Sequence, residues 1–434
     1  MKRLVALLGC LGVSACLLTG CTLPDIKFDT FSDVRWPLTG SEIIEDVPQP
    51  EDLGDTSSSN GSSFNTSSVT YNGAITKLPR TVDVAKYNAI NTDIYNFAVQ
   101  WDADCTRLAN VMKRAEAGET ITIACIGGSI TEGATTSGNL DAAVAGRACY
   151  AQRYFDWWAL TFPNATFNFI NAGIGGTDSY FGVHRVYDDV LSQNPDVVLV
   201  EFSVNDNNDE LHRQSYDNLL RRILLNSDNT ACMLLFMQIN NGHTCKAMDL
   251  AIGQSYGLPM ISYADVLNLF ISTGAYSLTD LAADQVHPTA YGHAVIGQLL
   301  SQYLDNVRAI EYECGPNTPF TCPPVTNESF AYARTIPAGN ALSPDEYGNY
   351  SGIVTFSRLG LAYCETADGT GGNFEVIVDG VSVGTFNTVN KDNMGAPMRT
   401  VEFVNNVPWG EHAVEVRNID SSSGNPNLSY VLAN

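Results

Sequence analysis

Two short blocks of the sequence contain side chains that can carry out acyl transfer. Both blocks lie where the chain can expose these side chains. Residues 126–133 hold Ser129 directly after two glycines, which let the backbone turn sharply at that point. Residues 284–288 hold Asp284 and His287, which one helical turn separates, so both can face one cleft. A serine hydroxyl needs a base to attack an ester carbonyl, and a histidine oriented by a carboxylate is such a base. These blocks predict nucleophilic chemistry on an ester.

Two further blocks, residues 171–179 and 201–206, offer hydrogen-bond donors instead of a nucleophile. The first is rich in glycine and includes Gly175 and Gly176, and the second contains Asn205. All four blocks lie at the ends of predicted strands. In an open α/β sheet, ligands bind beyond the carboxyl ends of the strands, so the four blocks can converge there.

The elements that must position these blocks alternate between strand and helix. Short apolar runs predict strands at residues 120–126, 167–170, 197–202, 232–239 and 259–262. Helical patterns predict helices at residues 148–160, 179–191, 211–225, 244–256 and 289–304. This alternation predicts a three-layer α/β/α sandwich with a parallel sheet, and the continuous apolar strands fit a sheet buried on both faces.

The character of the sequence changes after the α/β region. Residues 325–434 are rich in Gly, Asn and Ser and carry short strand patterns, which predicts a C-terminal all-β sandwich module. Its candidate sugar-stacking aromatics are Tyr347, Tyr350, Tyr363 and Trp409. The alternative for each of these side chains is packing in the core of the sandwich.

The four blocks resemble those of the SGNH hydrolases, also called the GDSL family. The order Ser, Gly, Asn and then Asp-x-x-His matches over about residues 104–310. The sequence is most similar to the branch that reads Gly-Gly-Ser-Ile-Thr, and residues 176–185 are typical of that branch. Gly128 and Ser203 depart from the family pattern, where Asp and Gly are usual, but neither change removes a catalytic group. The resemblance implies a flavodoxin-like α/β hydrolase domain.

The resemblance also assigns roles to particular residues. Ser129 is the expected nucleophile, His287 the base and Asp284 the group that orients the imidazole and stabilises its charged form. The expected oxyanion hole consists of the N–H groups of Ser129 and Gly176 and the side-chain amide of Asn205. Gly175 takes the place of Gly176 if the alignment shifts by one residue.

Other polar residues near the blocks allow more than one interpretation. Four of them are candidates for the substrate side, with hydrogen bonding between loops as an equal alternative: Glu132, Asp178, His184 and Arg185. Glu201 and Asp206 could suggest the paired carboxylates of a glycosidase. We interpret them instead as parts of a structural network.

The N-terminal sequence predicts export. Residues 1–20 form a signal peptide with a basic start and a short apolar run, and Leu18-Thr19-Gly20-Cys21 resembles the bacterial lipobox. Cys21 is therefore the expected lipid anchor, with ordinary secretory cleavage nearby as the alternative. Residues 21–85 predict a Ser-rich tether before a hydrolase domain at 86–312. The expected location is the cell surface or periplasm, lipid-anchored, or secreted if Cys21 carries no lipid.

Composition limits the partners. The 434 residues include 23 Lys and Arg against 47 Asp and Glu, for a net charge of -24. Such a chain repels nucleic acid and anionic lipid, so we expect no nucleic-acid partner and membrane contact only through the anchor. A neutral glycan meets no such barrier.

The cysteines predict neither a metal nor a redox site. None of the cysteines expected in the mature chain has Cys-x-x-Cys spacing, so we expect no metal, and the proposed chemistry needs no organic cofactor. Export permits disulfides. Cys314 and Cys322 flank a Pro-rich loop and are the best local pair for one.

Together these features predict an extracytoplasmic serine esterase that hydrolyses O-acyl esters, above all O-acetyl esters, on polysaccharide. The substrate expectation depends on the surface location, the β-module and the acetyl-carbohydrate activity of related family members. One alternative is a lipase, thioesterase or arylesterase acting on small or lipid esters. Another is a non-catalytic glycan-binding surface lipoprotein, although the presence of all four blocks argues against it.

Overall fold

A five-stranded parallel sheet forms the centre of the α/β domain. In a computed structural model, the described residues are 95, 97–100, 103–134, 149–366, 371–390, 397–420 and 424–434. The strands are β1 Thr120–Gly127, β2 Thr166–Gly173, β3 Val197–Glu201, β4 Ala231–Phe236 and β5 Met260–Ser262. Their order in the sheet is β2-β1-β3-β4-β5, and every neighbouring pair is parallel. This is the flavodoxin-like order, whose direction reverses at β1 and leaves a crevice beside that strand.

Helices cover both faces of this sheet. The helices of the α/β domain are α1 Thr106–Glu116, α2 Ser129–Glu132, α3 Tyr150–Thr161, α4 Ser179–Asp189, α5 Glu210–Asn226, α6 Lys246–Ser255, α7 Tyr263–Ser272, α8 Leu278–Leu281 and α9 Ala290–Ile310. One buried core joins the sheet to α1, α3, α7 and α9, and a second joins it to α4, α5 and α6. Every residue of β3 and β4 is buried. The predicted three-layer sandwich is confirmed.

Local sequence explains where the helices next to the blocks begin. Asp178 caps α4 by accepting the N–H of Phe181, and Thr289 caps α9 by accepting the N–H of Gly292. Helix α9 continues six residues beyond the predicted end at residue 304, because its apolar face stays buried up to Val307. The caps fix the chain direction directly after two of the four blocks.

The C-terminal region is a sandwich of two antiparallel sheets, as the sequence predicts. Its strands are β6 Arg334–Pro337, β7 Ser343–Pro344, β8 Tyr350–Phe356, β9 Leu359–Cys364, β10 Asn373–Val378, β11 Val381–Asn387, β12 Met398–Val404, β13 Gly410–Asn418 and β14 Leu428–Ala433, with a short helix α10 at Ala338–Ala341. The sheet orders are β11-β10-β13-β8-β7 and β12-β9-β14-β6. A third core fills the space between the two sheets.

The β-module is not separated from the α/β domain by a flexible linker. The core on the α4 and α5 side of the parallel sheet also contains Phe330, Ala333, Ala362, Met398 and Leu432, all buried. Burial of apolar surface from both parts in one core makes them pack as one unit. The two domains predicted from composition therefore share one hydrophobic core.

The predicted disulfide between Cys314 and Cys322 is wrong. Both thiols are free. Cys314 packs against the core on the α9 side of the sheet, and Cys322 packs against the core on the α5 side. The Pro-rich loop between them crosses from one layer to the other, which explains why closeness in sequence gave no pairing.

The predictions for the N-terminal segment concern residues outside the described part of the chain. The signal peptide, Cys21 and the tether at residues 21–85 all lie there. No helix in the described part is long and apolar enough to cross a membrane.

Candidate active site

Ser129 occupies a sharp turn from strand to helix at the end of β1. It is the first residue of the four-residue helix α2, and Gly133, which caps the end of this helix, has a φ of 99°. A Cβ atom on Gly127 would overlap the Thr131 hydroxyl, and one on Gly128 would overlap the Asn205 side chain. The glycines before Ser129 are therefore required by close packing and not by a positive φ.

Ser129, His287 and Asp284 form one chain of hydrogen bonds. The distance from Ser129 Oγ to His287 Nε2 is 2.8 Å, and the distance from His287 Nδ1 to Asp284 Oδ2 is also 2.8 Å. The serine and the histidine are 158 residues apart in the sequence. This geometry lets the imidazole take the hydroxyl proton at Nε2 while the carboxylate holds the proton at Nδ1.

Asp284 is held as a carboxylate. Its second oxygen, Oδ1, accepts the backbone N–H groups of Val286 at 2.7 Å and His287 at 2.6 Å. Burial by itself would raise the pKa of Asp284, but the hydrogen bonds from the His287 ring and from these N–H groups keep it below the usual value. A charged carboxylate at this place stabilises the imidazolium that forms during catalysis.

Asn240 supports the turn that carries Asp284 and His287. Its backbone N–H donates to the carbonyl of Gln285 at 3.0 Å, and its side-chain amide donates to the carbonyl of Asp284. Asn240 is not among the residues predicted from the sequence. The signal that could have found it is its position four residues beyond β4, at the carboxyl edge where the other blocks lie.

The expected side-chain and loop oxyanion donors lie on segments that contact the turn of Ser129. Asn205 lies against Gly128, and a Cβ atom on Gly175 would be 3.7 Å from Cβ of Ser129. Gly176 has a φ of 75°, and its N–H has no hydrogen-bond partner among the described residues. Gly175 lies close to Glu132, because a Cβ atom on Gly175 would be 2.9 Å from the Glu132 carboxylate. Oδ1 of the Asn205 amide is buried without a partner in the described part of the chain. Gly176 therefore stays the expected backbone donor of this loop, with Gly175 as the alternative.

Two of the four candidates for the substrate side are buried away from it, and their assignment is wrong. His184 is 1% exposed and packs against Tyr180 and Phe330, and burial lowers its pKa to about 3. Arg185 is 2% exposed and donates to the carbonyls of Gly127 and Ala172 at 3.0 and 2.7 Å. Both side chains point into the core from α4, whose inner face the sequence did not identify.

The other two candidates lie at the surface or partly so. Glu132 is exposed, and its carboxylate lies beside Gly175. Asp178 caps α4 and lies with Oδ2 3.4 Å from His212 Nε2. Asp178 thus fixes the loop that carries Gly176, while Glu132 lies beside the preceding glycine of that loop.

Glu201 and Asp206 lie behind the site and are fully buried. Asp206 accepts the N–H of Ser179 at 2.8 Å, which ties the end of β3 to the start of α4. Burial, with the charge of Asp206, raises the pKa of Glu201 to about 8. Neither carboxyl reaches solvent, so these residues lack the access to substrate that a glycosidase pair needs.

The described residues hold no group of three or more His, Cys, Asp or Glu side chains arranged to bind a metal ion. The chemistry of the site comes instead from a serine, a histidine and a carboxylate in one hydrogen-bonded chain, with unoccupied donors beside the serine. That set of groups fits acyl transfer.

Residues 125–295 match the model of the GDSL-like lipase/acylhydrolase family. This match contains Ser129, Gly176, Asn205 and both residues of the Asp-x-x-His pair. No curated protein matches the chain.

The chain is also similar to solved structures. A two-domain esterase (CEX) active on acetylated mannans gives a TM-score of 0.70 at 27% identity, covering 78% of this chain and 98% of that one. The structure of such an esterase co-crystallized with mannopentaose gives a TM-score of 0.69 at 26% identity, covering 78% and 97%. The share of this chain that is covered exceeds the α/β domain, so the likeness extends into the β-module.

Proposed function

Because the α/β domain belongs to the GDSL-like lipase/acylhydrolase family and is a carboxylic ester hydrolase, we propose that this protein removes O-acetyl groups from polysaccharide outside the cytoplasm. The observation that carries the catalytic part of the proposal is the chain of two 2.8 Å hydrogen bonds through Ser129, His287 and Asp284.

The reaction proceeds through an acyl-enzyme on Ser129. His287 Nε2 takes the hydroxyl proton while Oγ attacks the acetyl carbonyl, and the resulting oxyanion lies among the N–H groups of Ser129 and Gly176 and the amide of Asn205. The imidazolium then gives its proton to the leaving sugar hydroxyl, which leaves an acetyl ester on Ser129. Water, activated by the same imidazole, releases acetate and restores the serine.

The oxyanion donors contribute a large part of the rate enhancement over the uncatalysed reaction. They are fixed by the turn at Gly128 and by the loop at Gly176, so they need no reorganisation when charge develops on the oxygen. Loss of one such donor costs about 10²- to 10³-fold in rate. An enzyme that has lost a triad residue keeps a rate only about 10³- to 10⁴-fold above that of the uncatalysed reaction in water.

The substrate class is supported by the likeness to an esterase active on acetylated mannans, which includes both domains. The net charge of -24 favours a neutral glycan over an anionic surface. Two of the predicted aromatics on the β-module are exposed, Trp409 at 59% and Tyr347 at 75%. Tyr350 and Tyr363 instead pack in or against the core of the sandwich, so they are no longer candidates.

A substrate panel tests the proposal. The purified mature chain is offered acetylated mannan, acetylated xylan, acetylated pectin and nitrophenyl esters of increasing chain length, and released acetate or nitrophenol is measured. We expect the highest kcat/KM on an acetylated glycan and falling activity as the acyl chain lengthens. Preference for long acyl chains would identify a lipase instead, and no hydrolysis at all would identify a glycan-binding protein.

The matched control for that panel is Ser129→Ala, which removes the nucleophile without changing the fold. We expect it to hydrolyse none of the esters above background and to lose covalent labelling by a fluorophosphonate. Turnover like that of the wild type would overturn the mechanism.

The location is proposed from the N-terminal sequence. The lipobox-like run before Cys21 and the Ser-rich segment after it support a lipid anchor with a tether that lets the enzyme reach insoluble glycan. In cells that express the full chain, labelled palmitate should be incorporated and Cys21→Ser should abolish the label. Retention of the label in that variant would exclude Cys21 as the anchor.

A further inference from the structure

The loop that carries Gly176 is contacted by strand β12 of the β-module. We call residues 174–178, between β2 and α4, the oxyanion loop. A Cβ atom on Gly176 would lie 3.1 Å from the carbonyl oxygen of Met398 and 3.4 Å from Cβ of Pro397. On the side of Ser129, a Cβ atom on Gly128 would lie 3.2 Å from the carbonyl of Thr177. The oxyanion loop is therefore enclosed between the nucleophile turn and the start of β12.

A second contact joins β12 to the end of the oxyanion loop. Thr400 Oγ1 lies 3.4 and 3.3 Å from the two carboxylate oxygens of Asp178. Asp178 also caps α4 through the N–H of Phe181 at 2.9 Å. Thr400 thus reaches the residue that fixes where the loop ends and the helix begins.

Asp178 is held from the α/β domain as well. His212 Nε2 lies 3.4 Å from Asp178 Oδ2, while its Nδ1 bonds to Asp209. Although burial favours the neutral ring, the hydrogen bond to Asp178 and the nearby carboxylates raise the pKa of His212 to about 9. The Asp178 carboxylate therefore lies between an imidazolium of α5 and a hydroxyl of the module.

Strand β12 is held in place by contacts besides those to the oxyanion loop. Met398 is buried in the core that the module shares with α4. Arg358 pairs with Glu402 of β12 at 2.8 Å, and its guanidinium lies 4.3 Å from the centre of the Phe330 ring. Close-packed protein interiors resist small displacements.

We propose that the β-module is part of the catalytic apparatus, with Thr400 and the backbone at Met398 positioning the oxyanion loop so that the Gly176 N–H meets the developing oxyanion. Thr400 touches neither the substrate nor the reacting atoms and is a positioning residue. The inference rests on the proposed role of Gly176 as an oxyanion donor, and it goes beyond the glycan-binding role expected for the module.

The two roles predict different effects on small substrates. A glycan-binding module raises the local concentration of polymer and leaves the rate on a free acetyl ester unchanged. A module that holds the Gly176 N–H in place affects kcat on every ester, including nitrophenyl acetate, because donor geometry acts in the transition state.

The test compares two threonines that bridge the module and α4 in the full mature chain. Thr400→Val keeps the shape of the side chain but loses the hydroxyl bonded to Asp178. We expect kcat on nitrophenyl acetate to fall about tenfold with KM nearly unchanged, since small misplacement of a catalytic group costs up to about 10²-fold. Thr400→Ser, which keeps the hydroxyl, should restore most of the rate.

The matched control is Thr335→Val. Thr335 Oγ1 donates to Asp188 Oδ2 at 3.1 Å, so this variant removes the same kind of bond between the module and the far end of α4. We expect its kcat to equal that of the wild type. Thr400→Ala repeats the measurement if the valine variant does not accumulate in folded form.

Equal kcat values for Thr400→Val, Thr335→Val and the wild type would overturn the proposal. So would a rate loss in Thr400→Val that Thr400→Ser does not restore, because that would indicate packing and not the hydroxyl. Failure of the wild-type chain to hydrolyse any ester would instead contradict the proposed function, and the two failures are distinguishable.

Discussion

The carboxyl edge of the parallel sheet and the face of the β-module on α4 both contribute to the active-site region, but they do so by different routes. At the sheet edge, Ser129 and Gly176 each follow a strand within a few residues, and the chain turns there on glycines. The module instead reaches the site through Thr400, which is 222 residues from its partner Asp178. The groups assigned to the chemistry lie in short motifs, whereas the groups that hold them in place come from distant parts of the chain.

Removal of the β-module is expected to have the largest effect on the α/β domain. A chain that ends at residue 324 exposes the α4 and α5 surface that Phe330, Ala362, Met398 and Leu432 cover. Each large core side chain that is lost costs about 2–5 kcal/mol, against a total stability of about 5–15 kcal/mol. We therefore expect the truncated chain to be unfolded or inactive on both nitrophenyl acetate and acetylated glycan.

Soluble expression, circular dichroism and turnover of the two substrates check this expectation. Full activity of the truncated chain on the small ester would mean that the two regions are independent after all. It would also remove the support for a positioning role of β12.

Asn205→Ala tests the sheet edge alone. The amide acts on charge that develops in the transition state, so its loss should lower kcat by roughly 10²- to 10³-fold and change KM little. Steady-state kinetics on nitrophenyl acetate separates the two constants. A change confined to KM would make Asn205 a residue for ground-state binding.

Trp409→Ala tests the outer surface of the module. Trp409 is exposed and lies with its ring 5.7 Å from the guanidinium of Arg334, far along the chain from every residue of the active site. If it stacks on sugar, kcat/KM on acetylated polymer should fall roughly fivefold because local binding is weakened, with the rate on nitrophenyl acetate unchanged. Tyr312→Ala, an exposed aromatic of the α/β region, is the matched control.

Equal losses on polymer for Trp409→Ala and Tyr312→Ala would remove Trp409 from the glycan surface. The β-module would then have no glycan-binding role at Trp409, and only its contacts to the α/β domain would remain as a contribution to activity.

Glu201→Gln has the smallest expected effect, which is on stability. Glu201 is the buried last residue of β3. Burial and Asp206 raise the pKa of Glu201 from 4.5 to about 8. The folded chain therefore keeps a proton that the unfolded chain releases, and stability falls as pH rises from about 4.5 to about 8. Glutamine removes this contribution, so the Tm of the variant should decrease less over that range, by about a few °C.

Thermal unfolding at pH 5, 6.5 and 8 measures the slope, with the exposed Glu411→Gln of the module as control. Asp206 and His212 keep part of the slope, because burial also raises the pKa of Asp206 and the nearby carboxylates raise that of His212. A slope in Glu201→Gln equal to that of the wild type would mean that Glu201 is charged in the folded chain at neutral pH.

Much of the catalytic domain could be predicted from the sequence because its signals are local. The strands are short apolar runs that end in glycine-rich blocks, and the order of Ser129, Gly176, Asn205 and the Asp284–His287 pair follows the order of the strands. Helix caps such as Asp178 and Thr289 are likewise visible as side chains before a helical pattern. The predicted helix and strand limits differ from the structure by a few residues, since the ends of elements depend on burial.

Other predictions failed where burial decides the role of a side chain. His184 and Arg185 stand next to one of the blocks, but α4 turns both into the core. Cys314 and Cys322 are close in sequence, yet they pack on opposite faces of the sheet. Asn240 carries no motif and supports the Asp284 turn only because the chain brings it there.

The groups available for chemistry and the sheet that carries them follow from local sequence, because residue type, spacing and hydrophobic pattern act over a few residues. The contacts that hold those groups arise only in the folded chain: the 2.8 Å bond across 158 residues from Ser129 to His287, and the approach of Thr400 to Asp178. Such contacts depend on how separate elements pack around a shared core. No single stretch of sequence contains that information, because the packing is a property of the whole chain.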